Sequence, residues 1–113
     1  MMGEPKFENL ETAEQKLVRL LKEKGVEDPE AKEFLDKWTR EQEKLIEQAE
    51  DYPLEQIKFN LRRARLYFEA GYVDEALEDF EDARTQAWNE QRTELYAAIM
   101  KEMDEMEDSL ETK

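Results

Sequence analysis

Apolar residues recur at intervals of three and four along most of this chain, which is the spacing that places them on one face of an α-helix. In the first such stretch the apolar positions are Leu10, Leu17, Leu20 and Leu21. Asn9 or Thr12 can cap this helix, and Thr12 with Gln15 fits a capping box. We expect Gly25 to end the helix, with Val26 placed to contact Leu21 in a Schellman arrangement.

A second helix is predicted to begin where Asp28 supplies a capping carboxylate and Pro29 suits the first turn. Its apolar positions are Ala31, Phe34, Leu35, Trp38, Leu45, Ile46 and Ala49. Gln42 interrupts this stripe midway. The helix should end near Glu50, because the residue before Pro53 is biased away from helical backbone angles.

A third helix is predicted from about Pro53 to Ala70, and its stripe is strongly amphipathic. The apolar positions of the stripe are Leu54, Ile57, Leu61, Ala64 and Phe68. A fourth helix is predicted to start at Asp74. Because residues 74–113 contain neither Gly nor Pro, this part of the chain is compatible with one long helix or with two.

The apolar stripe of this C-terminal part changes side near Asn89. Before that point the apolar residues are Leu77, Phe80, Ala83 and Ala87, and after it they are Leu95, Ile99, Met103, Met106 and Leu110. We therefore predict a short break within Asn89–Thr93 and a fifth helix from about Thr93 to Glu107. Residues 108–113 are expected to fray.

No segment has the alternating pattern of a strand, so the predicted fold is all-α, with four to five antiparallel helices. Residues 9–107 should form a single helical domain. Residues 1–8 show no periodicity and are predicted to be a flexible N-terminus.

The segment 64–83, ARLYFEAGYVDEALEDFEDA, contains a more specific pattern. Gly71 follows a helical run and can adopt the positive φ that closes a helix. Asp74 can cap the next helix after a three-residue turn. Ala76 and Ala83 are small where two antiparallel helices approach closely, and Phe80 can fill the space between them and Ala64.

This order of residues resembles a tetratricopeptide (TPR) repeat over about one repeat, residues 57–90, with the hairpin itself at 53–89. The chain departs from the repeat pattern early in the first helix, where Asn60, Arg63 and Ala64 replace the usual large aromatic and the Leu-Gly pair. The resemblance implies a surface for binding other proteins, and it implies that the fifth helix is a truncated second repeat or a solvating cap. A helical hairpin of another kind with a Gly turn is the alternative.

The composition removes the usual parts of most enzymes. Among 113 residues there is no Cys and no His, and no Gly-rich phosphate loop is present. We therefore expect no enzyme activity, no metal and no cofactor. No apolar run approaches the roughly 20 residues that span a bilayer, and no secretory signal is visible, so a cytoplasmic protein is expected.

The net charge of −14 restricts the kinds of partner that the chain can bind. A chain this acidic should be repelled by nucleic acid and by anionic membrane surfaces. Patterned apolar residues, including two Trp, five Phe and four Tyr, argue against disorder. The expected partner is another protein or a peptide.

Cationic residues on the third helix are the candidate site. Lys58, Arg62 and Arg65 are four and three residues apart and therefore share one face, whereas Arg63 falls elsewhere. In TPR proteins that grip a partner's carboxylate, Lys and Arg occupy similar positions, so the resemblance implies that these three residues bind an anionic peptide, with Phe68 as an apolar shelf. The alternative is that the cations pair with acids of neighbouring helices.

Two further features have both a functional and a structural interpretation. The fourth helix carries an acidic run: Asp74, Glu75, Glu78, Asp79, Glu81 and Asp82. This run is either a face for a basic partner or the solvated side of the helix. Met103 and Met106 share a side with Ile99 and are either core residues or, if exposed, a homodimer interface through the C-terminal helix.

The sequence as a whole predicts a protein–protein interaction module, a TPR-like adaptor or scaffold. The competing hypothesis is an acidic inhibitor, antitoxin-like or nucleic-acid-mimicking, that neutralises a basic partner by charge.

Overall fold

The computed structural model describes residues 10–111, which form five α-helices and contain no strand. The helices are α1 (Ala13–Lys24), α2 (Pro29–Glu47), α3 (Tyr52–Glu69), α4 (Val73–Asn89) and α5 (Thr93–Glu111). The prediction of an all-α fold is therefore confirmed. The expected flexible N-terminus, residues 1–8, lies outside the described residues.

The first three helices begin with side-chain caps. The Thr12 hydroxyl accepts a hydrogen bond from the Gln15 backbone N–H at 3.0 Å, and the Gln15 side chain accepts one from the Thr12 N–H at 2.9 Å. This is the predicted capping box. Asp28 accepts from the Ala31 N–H before Pro29, as expected, and Asp51 caps α3 by accepting from the Leu54 N–H.

Helix α3 is the central element of the fold, because α1, α2 and α4 all pack against it. Helix α4 in turn packs against α5. The apolar side chains form two clusters. The first joins α1 and α2 to α3 and consists of Leu17, Val18, Leu20, Leu21, Ala31, Trp38, Ile46, Phe59 and Leu66. The second joins α3 to α4 and α5 and consists of Ile57, Leu61, Ala64, Phe80, Ala83, Ala87, Ile99, Met103 and Met106.

The two clusters lie on opposite sides of α3. At about 100° per residue, Phe59 and Leu66 point roughly 180° away from Ile57, Leu61 and Ala64. The ring of Phe59 meets that of Trp38 with centroids 5.4 Å apart, which anchors α2 to the first side. A helix buried on two opposite sides keeps only two narrow sides for polar residues.

The turns that precede α4 and α5 have the same geometry. In the first, the Gly71 N–H donates to the Phe68 carbonyl and the Tyr72 N–H donates to the Tyr67 carbonyl. The second repeats this pair of bonds twenty residues later: Gln91 N–H to Trp88 and Arg92 N–H to Ala87. Both are Schellman motifs, which place the residue after the helix at positive φ. The φ angles are 95° at Gly71, as predicted, and 59° at Gln91.

Several predicted helix ends are wrong by a few residues. Helix α4 begins at Val73 after Tyr72, and no side chain caps it, so Asp74 lies inside the first turn and does not cap the helix. The Tyr72 hydroxyl instead donates to the Leu21 carbonyl of α1 at 3.1 Å. Two apolar residues that were predicted to lie on the buried face of the second helix do not lie there. Leu45 is exposed, and Ala49 lies beyond the end of α2.

The last helix also differs from the prediction. The break within Asn89–Thr93 is present, and α5 continues to Glu111, beyond its predicted end near Glu107, so residues 108–111, which were expected to fray, are helical in the structure. Leu110 is half-buried, and the Ser109 hydroxyl donates to the Met106 carbonyl at 2.8 Å, both within this last turn. Residues 112 and 113 lie outside the described part of the chain.

Substitutions at the two matching turns should act in opposite directions. No atom lies within 4 Å of where a Cβ on Gly71 would stand, so Gly71→Ala should lose about 1 kcal/mol of stability through its positive φ alone. Gln91→Gly relieves the same strain and should gain about 0.5–1 kcal/mol. Urea denaturation measures both free energies. Changes of the same sign would contradict this account of the turns.

The α3–α4 contact confirms the expected small residues. Ala76, Ala83 and Ala64 have no exposed surface, and Phe80 is 2% exposed. Ala76→Leu should therefore overpack the hairpin and cost about 1–3 kcal/mol in a thermal or urea melt. Ala97→Leu, on the exposed side of α5, is the matched control and should stay within about 0.5 kcal/mol of the parent. If Ala76→Leu left the stability unchanged, α3 and α4 would not pack as closely at this position as the structure shows.

Candidate partner-binding surface

The three cations predicted to share a face do so, on one of the two polar sides of α3. We call Lys58, Arg62 and Arg65 the basic strip. It lies between α2 and α5, because Arg62 bonds to Gln42 of α2 and Arg65 bonds to Glu102 of α5. The backbone of α3 fixes their spacing, and the two buried sides of the helix hold the strip toward solvent.

Arg62 occupies the middle of the strip and bonds to a neutral group. Its Nη2 donates to Oε1 of Gln42 at 3.0 Å, and its guanidinium carbon lies 6.0 Å from the centre of the Phe59 ring. The same contact explains why Gln42 interrupts the apolar stripe of α2. Within residues 10–111 no carboxylate forms an ion pair with Arg62.

The other two cations of the strip have acidic neighbours. Arg65 donates two hydrogen bonds to Glu102, at 2.7 and 2.9 Å, and this contact raises the pKa of the guanidinium. Lys58 lies 3.6 Å from a carboxylate oxygen of Glu55, one turn away on the same helix. Both pairs are substantially exposed to water, where such pairs contribute about 0–1 kcal/mol.

Phe68 lies one turn beyond Arg65 and is half-buried. It packs against the second apolar cluster and, with Arg65 and Glu102, lines a pocket of about 230 Å³ between α3 and α5. Phe68 therefore contributes apolar surface beside Arg65 at this end of the strip.

The opposite polar side of α3 forms a buried ion pair that the sequence did not predict. Arg63 donates two hydrogen bonds to Asp79 of α4, at 2.8 and 2.9 Å, and its guanidinium lies 5.0 Å from the centre of the Phe59 ring. Asp79 is only 5% exposed. The hydrogen bonds to Asp79 raise the pKa of Arg63. One signal could have found this pair: Arg63 and Asp79 are each eight residues from Gly71, so a tight hairpin brings them together.

The acidic run on α4 is therefore not a single solvated face. Asp79 points into the hairpin, whereas four other acids of the run are exposed: Asp74, Glu78, Glu81 and Asp82. None of these four forms an ion pair within residues 10–111.

The methionine stripe of α5 belongs to the core. Met103 and Met106 are buried with Ile99 against side chains of α3 and α4, which is the structural interpretation of this stripe. The outward side of α5 is largely charged, with exposed Glu94, Lys101, Asp104, Glu105 and Asp108. The apolar stripe on which a homodimer through this helix would depend is thus occupied within the chain.

Over residues 10–111, no group of three acidic side chains is arranged to hold a metal ion. In the same range, no helix is both long enough and apolar enough to cross a membrane.

Comparison of the chain with protein-family models, with curated proteins and with solved structures finds no significant match.

The bidentate pairs Arg63–Asp79 and Arg65–Glu102 should differ sharply in their contribution to stability. Arg63→Ala leaves the buried Asp79 without its partner and should cost about 3 kcal/mol, the lower end for broken buried pairs because Arg63 itself is a quarter exposed. Arg65→Ala removes a pair of the same geometry in water and should cost about 0–1 kcal/mol. Urea unfolding of both variants makes the comparison. Equal losses would show that the Arg65–Glu102 pair is structural.

Proposed function

We propose that this protein is a protein–protein interaction module, a TPR-like adaptor or scaffold, that binds an anionic segment of a partner along the basic strip. The single observation that supports this most directly is the hydrogen-bond partner of Arg62. In a chain with 31 Asp and Glu residues, this guanidinium bonds to the neutral amide of Gln42.

The proposal rests on the energetics of exchanging one acceptor for another. A hydrogen bond from a guanidinium to a carboxylate is roughly twice as strong as a neutral bond, and a carboxylate can accept two N–H groups of the planar fork. A partner carboxylate at Arg62 would therefore replace a weaker contact with a stronger one.

The neighbouring groups of the strip can assist such a ligand. The 3.6 Å pair between Lys58 and Glu55 is long and exposed, so Lys58 can turn toward an added anion at little cost. Arg65 keeps half of its side-chain surface exposed although it holds Glu102. Phe68 offers apolar contact beside Arg65. Together these groups suit a short peptide with one or two carboxylates and an apolar residue.

The rest of the proposal follows from composition. The sequence contains no His, no Cys and no Gly-rich phosphate loop. We therefore propose a binding role that involves no catalysis, cofactor or metal. The net charge of −14 disfavours nucleic acid and anionic membranes as partners. A cytoplasmic location is part of the same proposal, since no apolar run in the sequence is long enough to span a bilayer.

The alternative function, an acidic inhibitor or nucleic-acid mimic, has one specific observation in its favour. The four exposed acids of α4, which include Glu78 and Glu81, form no ion pair within residues 10–111 and are free to meet a basic partner. Such binding would weaken steeply as salt rises, whereas a peptide held by a few directed bonds would be less sensitive.

Charge reversal in the middle of the strip tests the proposal. Partners are captured from a host lysate on the immobilised parent protein and identified, and the affinity of the main one is then measured by calorimetry. Arg62→Glu should weaken binding by about 1–2 kcal/mol, a roughly five- to thirtyfold loss, because it sets a negative charge against an anionic ligand. Its stability should fall by only about 0.5–1.5 kcal/mol, because the substitution removes one neutral hydrogen bond, that to Gln42.

Arg40→Glu is the matched control for this measurement. Arg40 is exposed on α2, two residues from the buried Trp38 and hence on the far side of that helix, so the same charge change occurs away from the strip. It should leave affinity nearly unchanged. Equal losses from both substitutions would favour general electrostatics and the alternative function. Lost stability with intact binding in Arg62→Glu would make the strip a structural contact.

A further inference from the structure

The side of α4 that adjoins α5 carries a stripe of four residues at helical spacing, none of which is fully buried: Leu77, Glu81, Arg84 and Trp88. At about 100° per residue, the four lie within an arc of about 60°. Trp88 is 67% exposed, and Leu77 is half-buried. The stripe therefore has an apolar residue at each end and two opposite charges between them.

The two charged residues of this stripe have no strong partner within the chain. Nη1 of Arg84 donates to the sulfur of Met100 at 3.6 Å, and a thioether is a weak acceptor. Glu81 is exposed, and within residues 10–111 neither Glu81 nor Arg84 forms an ion pair. Both charges are therefore available to a second molecule.

The stripe is complementary to a reversed copy of itself. If a second α4 lies antiparallel against the first, with a two-fold axis between residues 82 and 83, Leu77 lies opposite Trp88 of the second copy. The same axis sets Glu81 opposite Arg84, and symmetry forms this ion pair twice. Two apolar contacts and two ion pairs thus follow from a single position of the axis.

The adjoining side of α5 has the same property. Tyr96, Met100, Met103 and Glu107 repeat the spacing of the α4 stripe. Tyr96 and Met100 are half-buried, Glu107 is exposed, and Met103 reaches the surface with 8% of its area. An axis between residues 101 and 102 sets Met100 opposite Met103. It also sets Tyr96 opposite Glu107, where the phenol can donate a hydrogen bond to the carboxylate.

Contacts between α4 and α5 show that these two axis positions lie at the same level. The rings of Trp88 and Tyr96 have their centroids 5.2 Å apart, and Arg84 bonds to Met100. Four residues back along α4 thus correspond to four residues forward along α5. By this register, the point between residues 82 and 83 lies beside the point between residues 101 and 102. One two-fold axis can therefore relate both helices to their copies.

We propose that the protein forms a symmetric dimer in which this side of α4 and α5 packs against the same side of a second copy. A second copy is the occupant because every position of the face finds a complementary position on the face itself, whereas an unrelated partner would need a separate match at each one. This dimer does not use the buried side of α5, where Ile99 and Met106 belong to the core. Its charged pair and its exposed ring come from α4.

The remaining acids of α4 do not oppose this contact at close range. Glu78 and Asp82 lie about 90° and 130° from the middle of the stripe, and the proposed axis sets Asp74 opposite the neutral Gln91. At physiological ionic strength, charges more than about 8 Å apart are largely screened, so the net charge of −14 weakens the dimer without preventing it. Because four side chains from each helix make a small interface, we expect a dissociation constant in the micromolar range.

The dimer would leave the basic strip open. Glu102, which bonds to Arg65 of the strip, is two residues from Met100 and hence about 160° away around α5. Each dimer would therefore present two strips, and a partner with two anionic segments could bind both. The inference does not require that the proposed function of the strip be correct.

Sedimentation equilibrium of the purified chain at physiological salt measures the self-association. The parent should form dimers as its concentration rises, and Trp88→Ala should weaken the dimer about tenfold or more, as expected for an exposed Trp that becomes buried. Leu10→Ala is the matched control, because Leu10 is also 67% exposed and lies outside the face. It should dimerise as the parent does.

A charge swap within one chain tests the predicted pairing. Glu81→Arg and Arg84→Glu each set like charges opposite one another twice and should each weaken the dimer about tenfold or more. The double variant restores opposite charges at both places, so its dissociation constant should return to within about threefold of the parent's. Glu81→Arg also reduces the net charge, so general repulsion alone would strengthen its dimer. Arg40→Glu changes the charge as Arg84→Glu does, but on α2, and should have little effect.

Three results would overturn the inference: a parent that stays monomeric at millimolar concentration, a dimer undiminished by Trp88→Ala, or a double variant that associates no more tightly than the single ones. Circular dichroism checks that each variant is folded. If a charge reversal unfolds the chain, Glu81→Gln and Arg84→Gln replace it. Each of these should weaken the dimer about threefold, and unchanged association in both would equally reject the pairing.

Discussion

The fold depends on one requirement, that α3 be buried on two opposite sides at once. Phe59 and Leu66 face α1 and α2, and Ile57, Leu61 and Ala64 face the cluster shared with α4 and α5. Within residues 10–111 the backbones of α1 and α2 pack on α3 and not on α4 or α5, so α3 joins the two halves. Without α3, the apolar side chains of each half would be exposed to water. Each half is too small to stay folded with that surface exposed.

The two remaining sides of α3 must be polar, and they are polar in different ways. On the side toward α4, Arg63 and the buried Asp79 satisfy each other, and one geometry holds both charges. On the side between α2 and α5, Lys58 and Arg65 are exposed and Arg62 is half-buried, and all three bond to partners that they can exchange. Arg62 and Arg63 are both half-buried, so it is the partner that separates them: Arg63 holds the buried carboxylate of Asp79, whereas Arg62 holds the neutral amide of Gln42.

The features that sequence reasoning found are local ones. Periodicity located the helices, and Thr12, Asp28 and Gly71 act through neighbours within four residues. The α4–α5 turn has the geometry of the Gly71 turn, but Gln91 carries no signal of a positive φ, so only a shift in the stripe revealed it. The burial of Asp79 and the exposure of Leu45 depend on how the helices pack against each other. The preferences of single residues for helix or for burial do not predict that packing.

The distribution of charge limits which partners can reach the basic strip. Long-range repulsion from a net charge of −14 slows the approach of any acidic protein, so an anionic segment reaches the strip only if it is short or if its carrier is otherwise basic. A short acidic segment on an otherwise basic partner meets attraction twice: the net charge draws the partner toward the protein, and the strip then holds the segment by directed hydrogen bonds.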